Sequence, residues 1–168
     1  MIKAVIFDLD QTLVDSKHLE PLRRARNWSL VYSKIPSISA YEGIDNVISL
    51  LKDKGIKTAI VSSAPLSYVK RVVRHFGWLF DEMVGYHDTR EHKPHPAPFI
   101  EVVKRLKVSP EHCWAIGDDP KDIIAAKRAG MYAIGALWGS LDRESLKKAN
   151  PDALFENVMD LYEEIHKI

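Results

Sequence analysis

Short apolar runs alternate with amphipathic helical segments along nearly the whole chain, and few architectures accept that order. Strand-like runs fall at residues 3–7, 57–61, 82–84, 113–116 and 132–135. Helical patterns occupy residues 43–54, 66–76, 97–106 and 121–129, with a last one at 156–167. In the first of these, Ile44, Val47, Ile48 and Leu51 share one stripe, and Gly55 follows as a residue suited to a left-handed C-terminal cap. Strands that are apolar all round must be covered on both faces. The expected fold is therefore α/β, a doubly wound parallel sheet between two helical layers. No internal repeat or low-complexity stretch interrupts the pattern, and the prolines stand at element boundaries.

The 168 residues are expected to form a single domain over 1–168, since no second large core fits in that length. With 24 Lys and Arg against 23 Asp and Glu, the chain carries almost no net charge. That balance argues against non-specific nucleic-acid or membrane binding, so a charged substrate must be recognised locally. Cys113 is the only cysteine, which excludes an intrachain disulfide and a multi-cysteine zinc site. The chain opens on strand-like sequence without a secretory core, and no apolar run approaches the ~20 residues that cross a bilayer. A cytoplasmic protein is expected, and an oligomer is compatible with the composition.

One segment departs from the strand-helix-strand rhythm. Residues 15–41 form an insertion between the first strand and the helix that feeds the second, with one helix expected at 18–32 and a connection near Pro36. Pro21 suits the first turn of that helix. Leu19, Leu22, Ala25, Trp28 and Tyr32 make an apolar stripe. Lys17, Arg23, Arg24 and Arg26 make a basic side that is either solvated or helps to hold an anionic substrate near the strand ends.

The chemistry-bearing groups gather where strands end. Asp8 and Asp10, in Asp8-Leu9-Asp10-Gln11-Thr12-Leu13, leave the first strand together, and period-2 geometry would project both side chains toward one side unless the loop bends them apart. Two carboxylates so close are costly unless a cation or a shared proton relieves them, and Mg²⁺ is the natural hard ion. Alone, an Asx turn explains the pair equally well. The second strand runs into Ser62-Ser63-Ala64, either a hydroxyl and N–H cradle for phosphate or a plain helix cap. Lys93 stands in His92-Lys93-Pro94-His95-Pro96, and the fourth strand enters Gly117-Asp118-Asp119-Pro120-Lys121-Asp122. His87, His92 and His95 cluster around Lys93 without matching a strong metal-ligand spacing. Trp138 and Gly139, after the fifth strand, either line the site or pack beneath its loop.

In that order, two Asp, then Ser, then Lys, then an acidic Gly-Asp-Asp turn, the chain resembles the haloacid dehalogenase superfamily of Mg²⁺-dependent phosphohydrolases over essentially its whole length. The resemblance implies a Rossmann-like core with strand order 3-2-1-4-5, or that order extended, and a minimal helical cap in the insertion 15–41. It implies that Asp8 is the nucleophile and Asp10 the general acid and then base. Asp8 and Asp118 would bind Mg²⁺ through carboxylates and Asp10 through its backbone carbonyl. Ser62, Ser63 and Lys93 would hold the phosphoryl group, with Asp119 and Asp122 supporting the metal loop from behind. The implied function is hydrolysis of a phosphomonoester through an aspartyl-phosphate. The alternatives are phosphotransfer of the sugar-phosphate mutase kind, or a binding or regulatory protein that retains the fold. Dehalogenation is disfavoured because Asp10 supplies an acid suited to a phosphate ester, and phosphonate hydrolysis because no lysine of the insertion is placed for a Schiff base. The insertion is shorter than the caps of larger members, so the expected partner is a phosphorylated small molecule or an exposed phosphate on a larger one, with room for another subunit to complete the site.

Overall fold

Successive residues of a strand face opposite ways, and in the first strand both sets are apolar: Val5 and Phe7 enter one buried cluster, Ala4 and Ile6 another. The computed structural model describes residues 1–168. Its first half runs β1 (Ala4–Phe7), β2 (Val14–Asp15), α1 (Glu20–Arg24), α2 (Trp28–Ser33), β3 (Ser39–Ala40), α3 (Ile44–Asp53), β4 (Lys57–Val61) and α4 (Leu66–Phe76). The second half runs β5 (Glu82–Val84), α5 (Ala97–Leu106), β6 (Cys113–Gly117), α6 (Pro120–Arg128), β7 (Tyr132–Ala136), α7 (Arg143–Lys148), β8 (Ala153–Phe155) and α8 (Val158–His166).

Six of these strands form one parallel sheet in the order β5-β4-β1-β6-β7-β8. The five expected strands hold the expected order, and β8 extends it. One face, with Val5, Phe7, Ile60, Trp114, Ile116 and Ile134, packs on α3, α4 and α8. The other is built from smaller residues: Ala59, Ile6, Ala115 and Ala133 lie in register across four strands, beneath α5, α6 and α7. Helix α8 starts at Val158, two residues later than the pattern indicated, because Asn157 caps it by accepting from Asp160 N–H at 3.0 Å. No helix is long and apolar enough to cross a membrane.

The insertion differs from the single helix expected at 18–32. Helix α1 ends at Arg24, Arg26 turns left-handed at φ 56°, and Asn27 caps α2 by accepting from Leu30 N–H. A continuous helix would set Leu19 and Val31 about 120° apart. The break allows both to enter the cluster that includes α3, α4 and α8, together with Ile35 and Ile38. Strands β2 and β3 pair antiparallel, Val14 with Ala40 and Asp15 with Ser39, and draw the two ends of the insertion together.

Replacing Phe7, which is fully buried, should be severe: Phe7→Ala is expected to remove about 3–5 kcal/mol of unfolding free energy. Leu79→Ala, at a side chain 74 % exposed, should stay within about 0.5 kcal/mol of the parent. Urea denaturation of the two variants measures both, and a Phe7→Ala loss below about 1 kcal/mol would contradict the two-faced core.

Candidate active site

Every expected site side chain but one sits at the carboxyl end of a strand or in the loop beyond it, the usual ligand position in an open α/β sheet, and Asp122 follows in the first turn of α6. The Asp8 N–H donates to the Ile116 carbonyl at 2.9 Å, tying the end of β1 to that of β6. The chain then turns through Gln11 at φ 65°, whose Oε1 accepts from Ser16 N–H at 2.8 Å. At the end of β6, a Cβ on Gly117 would lie 2.4 Å from the Asp122 side chain. The bare α-carbon therefore lets Asp122, in the first turn of α6, fold back under the loop. Asp119 caps that helix, accepting from Lys121 N–H at 2.8 Å, while Asp122 Oδ2 accepts from Asp119 N–H at 3.1 Å.

Asp8, Asp118 and Asp122 bring carboxylate oxygens within 4.8 Å of one another. Lys93 lies beneath them, with Nζ donating to Asp122 Oδ1 at 2.7 Å, the Val61 carbonyl at 2.8 Å and Asp8 Oδ1 at 3.1 Å. Thr12 Oγ1 donates to Asp118 Oδ1 at 2.9 Å. One ammonium cannot neutralise three carboxylates, and the surplus alters their acidity. Burial, then Asp8 and Asp122, raises Asp118 well above the ordinary carboxylate range. Asp122 is raised to about 6 by burial and Asp8, although Lys93 and the Asp119 N–H pull the other way. Burial would depress Lys93, but Asp122 and Asp8 outweigh it and hold the ammonium above the ordinary lysine range. Hard oxygen donors, close spacing and unneutralised charge together fit a small divalent cation such as Mg²⁺.

The Asp10 carboxylate stands apart from that group. Its Oδ1 accepts from Ser16 Oγ and from the Tyr68 hydroxyl, each at 2.6 Å, and Arg23 Nη1 lies 3.5 Å away. Arg23 also donates to the Ser16 carbonyl at 2.9 Å. Of the basic residues of the insertion, Arg23, Arg24 and Arg26 all border the space above the strand ends; Arg23 faces Asp10, and Arg24 pairs with Glu20 at the rim. Gln11, Ser16 and Tyr68 escape a reading of the sequence. Tyr68 falls on the buried stripe of α4 with Val69, Val72 and Val73, where an aromatic ring reads as core. Its one signal is a hydroxyl that burial obliges to find a partner.

A cleft of about 500 Å³ opens between the strand ends and the insertion, and Asp8, Asp10, Ser62, Ser63, Lys93, Asp118, Asp119 and Asp122 all line it. Ser62 is not the helix cap that the plain reading offered: Pro65 precedes α4, and Ser62 Oγ accepts from Ala64 N–H at 3.1 Å. Ser63 is exposed in the cleft wall. The three histidines do not converge. His87 lines the cleft, His92 stacks on Tyr86 at 3.8 Å, and His95 Nδ1 accepts from Ala97 N–H. Trp138 and Gly139 pack beneath the first loop: Trp138 Nε1 donates to the Thr12 carbonyl at 2.9 Å, and a Cβ on Gly139 would lie 1.7 Å from the Gln11 carbonyl oxygen.

A family model described as "Haloacid dehalogenase-like hydrolase" matches residues 21–136. The chain is 38 % identical over 122 residues to the protein named "Putative pyrophosphatase PpaX" of Caldanaerobacter subterraneus subsp. tengcongensis, covering 71 % of this chain and 56 % of that one. It is 31 % identical over 130 residues to a phosphoglycolate phosphatase of Psychrobacter arcticus, covering 76 % and 56 %. This chain thus spans little more than half the length of either relative. In fold it is similar to the crystal structure of a hydrolase from Pseudomonas syringae, with a TM-score of 0.84 over 99 % of both chains at 20 % identity.

Stripped of divalent ions, the folded protein should bind protons at Asp118 and Asp122 at a pH where unfolded carboxylates, near pKa 4, are already ionised. This site should therefore make the metal-free protein more stable, by a few degrees, as pH falls from about 7.5 to about 5.5. Mg²⁺ should stabilise it at the higher pH and far less at the lower. Asp122→Asn should flatten the dependence. Melting curves with and without Mg²⁺ measure it, and a parent and variant that respond identically to acidification would contradict it.

Proposed function

The chain belongs to the haloacid dehalogenase-like hydrolase family, and we propose that within it this protein is a Mg²⁺-dependent phosphomonoester hydrolase acting through a phosphorylated Asp8. The observation that carries this reading is the meeting of Asp8, Asp118 and Asp122 over the buried Lys93 ammonium, on the wall of a cleft large enough for a phosphate ester. Relatives named as a pyrophosphatase and a phosphoglycolate phosphatase support a phosphorylated substrate. The substrate class is a phosphorylated small molecule or an exposed phosphate on a larger one.

In this reading an Asp8 carboxylate oxygen attacks phosphorus and a new P–O bond forms as the bond to the leaving oxygen breaks. Asp10 gives that oxygen its proton. Asp10, now a carboxylate, then takes a proton from water as the water oxygen attacks phosphorus. The bond to Asp8 breaks, phosphate leaves, and both aspartates return to their starting states. Lys93, the Ser62 hydroxyl and the Ser63 backbone N–H stabilise charge on the equatorial oxygens. Asp8 and Asp118 carboxylates and the Asp10 carbonyl would hold Mg²⁺, which screens the repulsion between a carboxylate and a phosphate dianion. Asp122 holds Lys93 in place and Asp119 caps α6, so both act from behind the reacting atoms. A lone cysteine, Cys113, buried with its thiol pushed up to about 11 by burial and Glu111, suits a reducing cytoplasm.

Phosphate release from 4-nitrophenyl phosphate tests the reading. Asp8→Asn is expected to lower turnover by at least about 10³-fold, and chelation of Mg²⁺ to abolish it. Asp10→Asn should suppress turnover while calorimetry still detects Mg²⁺ binding. Undiminished turnover by a folded Asp8→Asn protein would overturn the assignment. Transfer between sugar bisphosphates without phosphate release would favour a mutase instead.

A further inference from the structure

The geometry points to Tyr68 as the residue that positions the Asp10 carboxylate, occupying Oδ1 so that Oδ2 is the oxygen left to exchange a proton with the leaving group. This inference rests on the hydrolase reading and adds to it a residue outside the strand-end constellation. Ser16 and Tyr68 both donate to Oδ1 at 2.6 Å and Arg23 Nη1 stands 3.5 Å from the same atom, whereas no protein donor reaches Oδ2. An oxygen that already accepts two short bonds beside a guanidinium has no free lone pair for a proton. The directions of these bonds are settled by the surroundings. The other acceptor near Ser16 Oγ, Gln11 Oε1, lies at 3.4 Å, so the Ser16 hydrogen goes to Asp10. Asp10 Oδ1 is the acceptor at 2.6 Å from the Tyr68 hydroxyl, so the phenol hydrogen goes there too.

Tyr68 differs from the other two donors in where it is rooted. Ser16 and Arg23 belong to the start of the insertion, but Tyr68 is a fully buried residue of the core helix α4. Its ring packs among Val69, Val72 and the rest of the core cluster, with the Trp28 ring 5.7 Å away. A phenylalanine would fill the same volume. The hydroxyl donates to Asp10 Oδ1 beside Ser16, so its consequence falls on that carboxylate and the hydroxyl that shares it.

The leaving group supplies the test, because phenolate needs the Asp10 proton far more than the more acidic 4-nitrophenolate does. Tyr68→Phe is expected to lower kcat/KM for phenyl phosphate about tenfold, and at least about fivefold more than for 4-nitrophenyl phosphate, with the Mg²⁺ concentration for half-maximal rate unchanged. Ser16→Ala, which removes the second donor to the same oxygen, should shift the ratio in the same sense. A general loosening of the fold would lower both esters alike. Equal losses on the two esters, or none, in a parent enzyme that hydrolyses both would overturn the positioning role alone. A parent protein that hydrolyses neither would overturn the hydrolase reading and this role with it.

Discussion

A single buried ammonium stands against three carboxylates at the carboxyl edge of the sheet, and the surrounding backbone serves to hold that imbalance still. Lys93 reaches it from a loop and is fixed by the Val61 carbonyl as well as by Asp8 and Asp122. Asp122 can lie under the loop only because Gly117 has no side chain there. Leaving buried charge unpaired costs several kcal/mol, and a fold selected for stability alone would have removed one of the acids. Unneutralised charge of this kind suits a cation, so what makes the cluster costly to bury also fits it to hold one.

Much of this arrangement is legible in the amino-acid order, and the limits have physical causes. Strands β1, β4, β5, β6 and β7 and their helices declare themselves because each is apolar on the face or faces it buries. Strand β8 does not: none of its three residues is fully buried, whereas β5, equally short at the opposite edge, buries Val84 completely. Helix α7 buries only Leu146, too little for a periodic signal. The break in the insertion turns on Arg26 adopting a left-handed conformation without a glycine or proline to announce it. At the site, the strand-end residues are readable because parallel topology collects strand ends. The Asp10–Tyr68 bond is not, because it joins positions 58 residues apart through a residue whose ring is ordinary core.

The insertion is rooted in the core. Leu19, Val31, Ile35 and Ile38 share a continuous apolar cluster with α3, α4 and α8, and Tyr32 joins Ser67 of α4 by a 2.6 Å hydrogen bond. Arg23 carries the same linkage to Asp10. A wall fixed in this way sets the shape of the cleft beforehand, and it limits how far contacts made on closing contribute to choosing a substrate.

The Trp138–Thr12 hydrogen bond spans 126 residues and has a consequence for the order of events at the ribosome. Strand β1, which leads into Asp8, precedes in the chain both strands it pairs with, β4 and then β6, yet it is central in the sheet. The loop after it gains its last support only when Trp138 and Gly139 arrive. Contacts between such distant positions form late. Asp8 is therefore made well before Asp118 and Asp122 stand beside it, and the crowding of the three carboxylates is deferred until β6 is in place between β1 and β7.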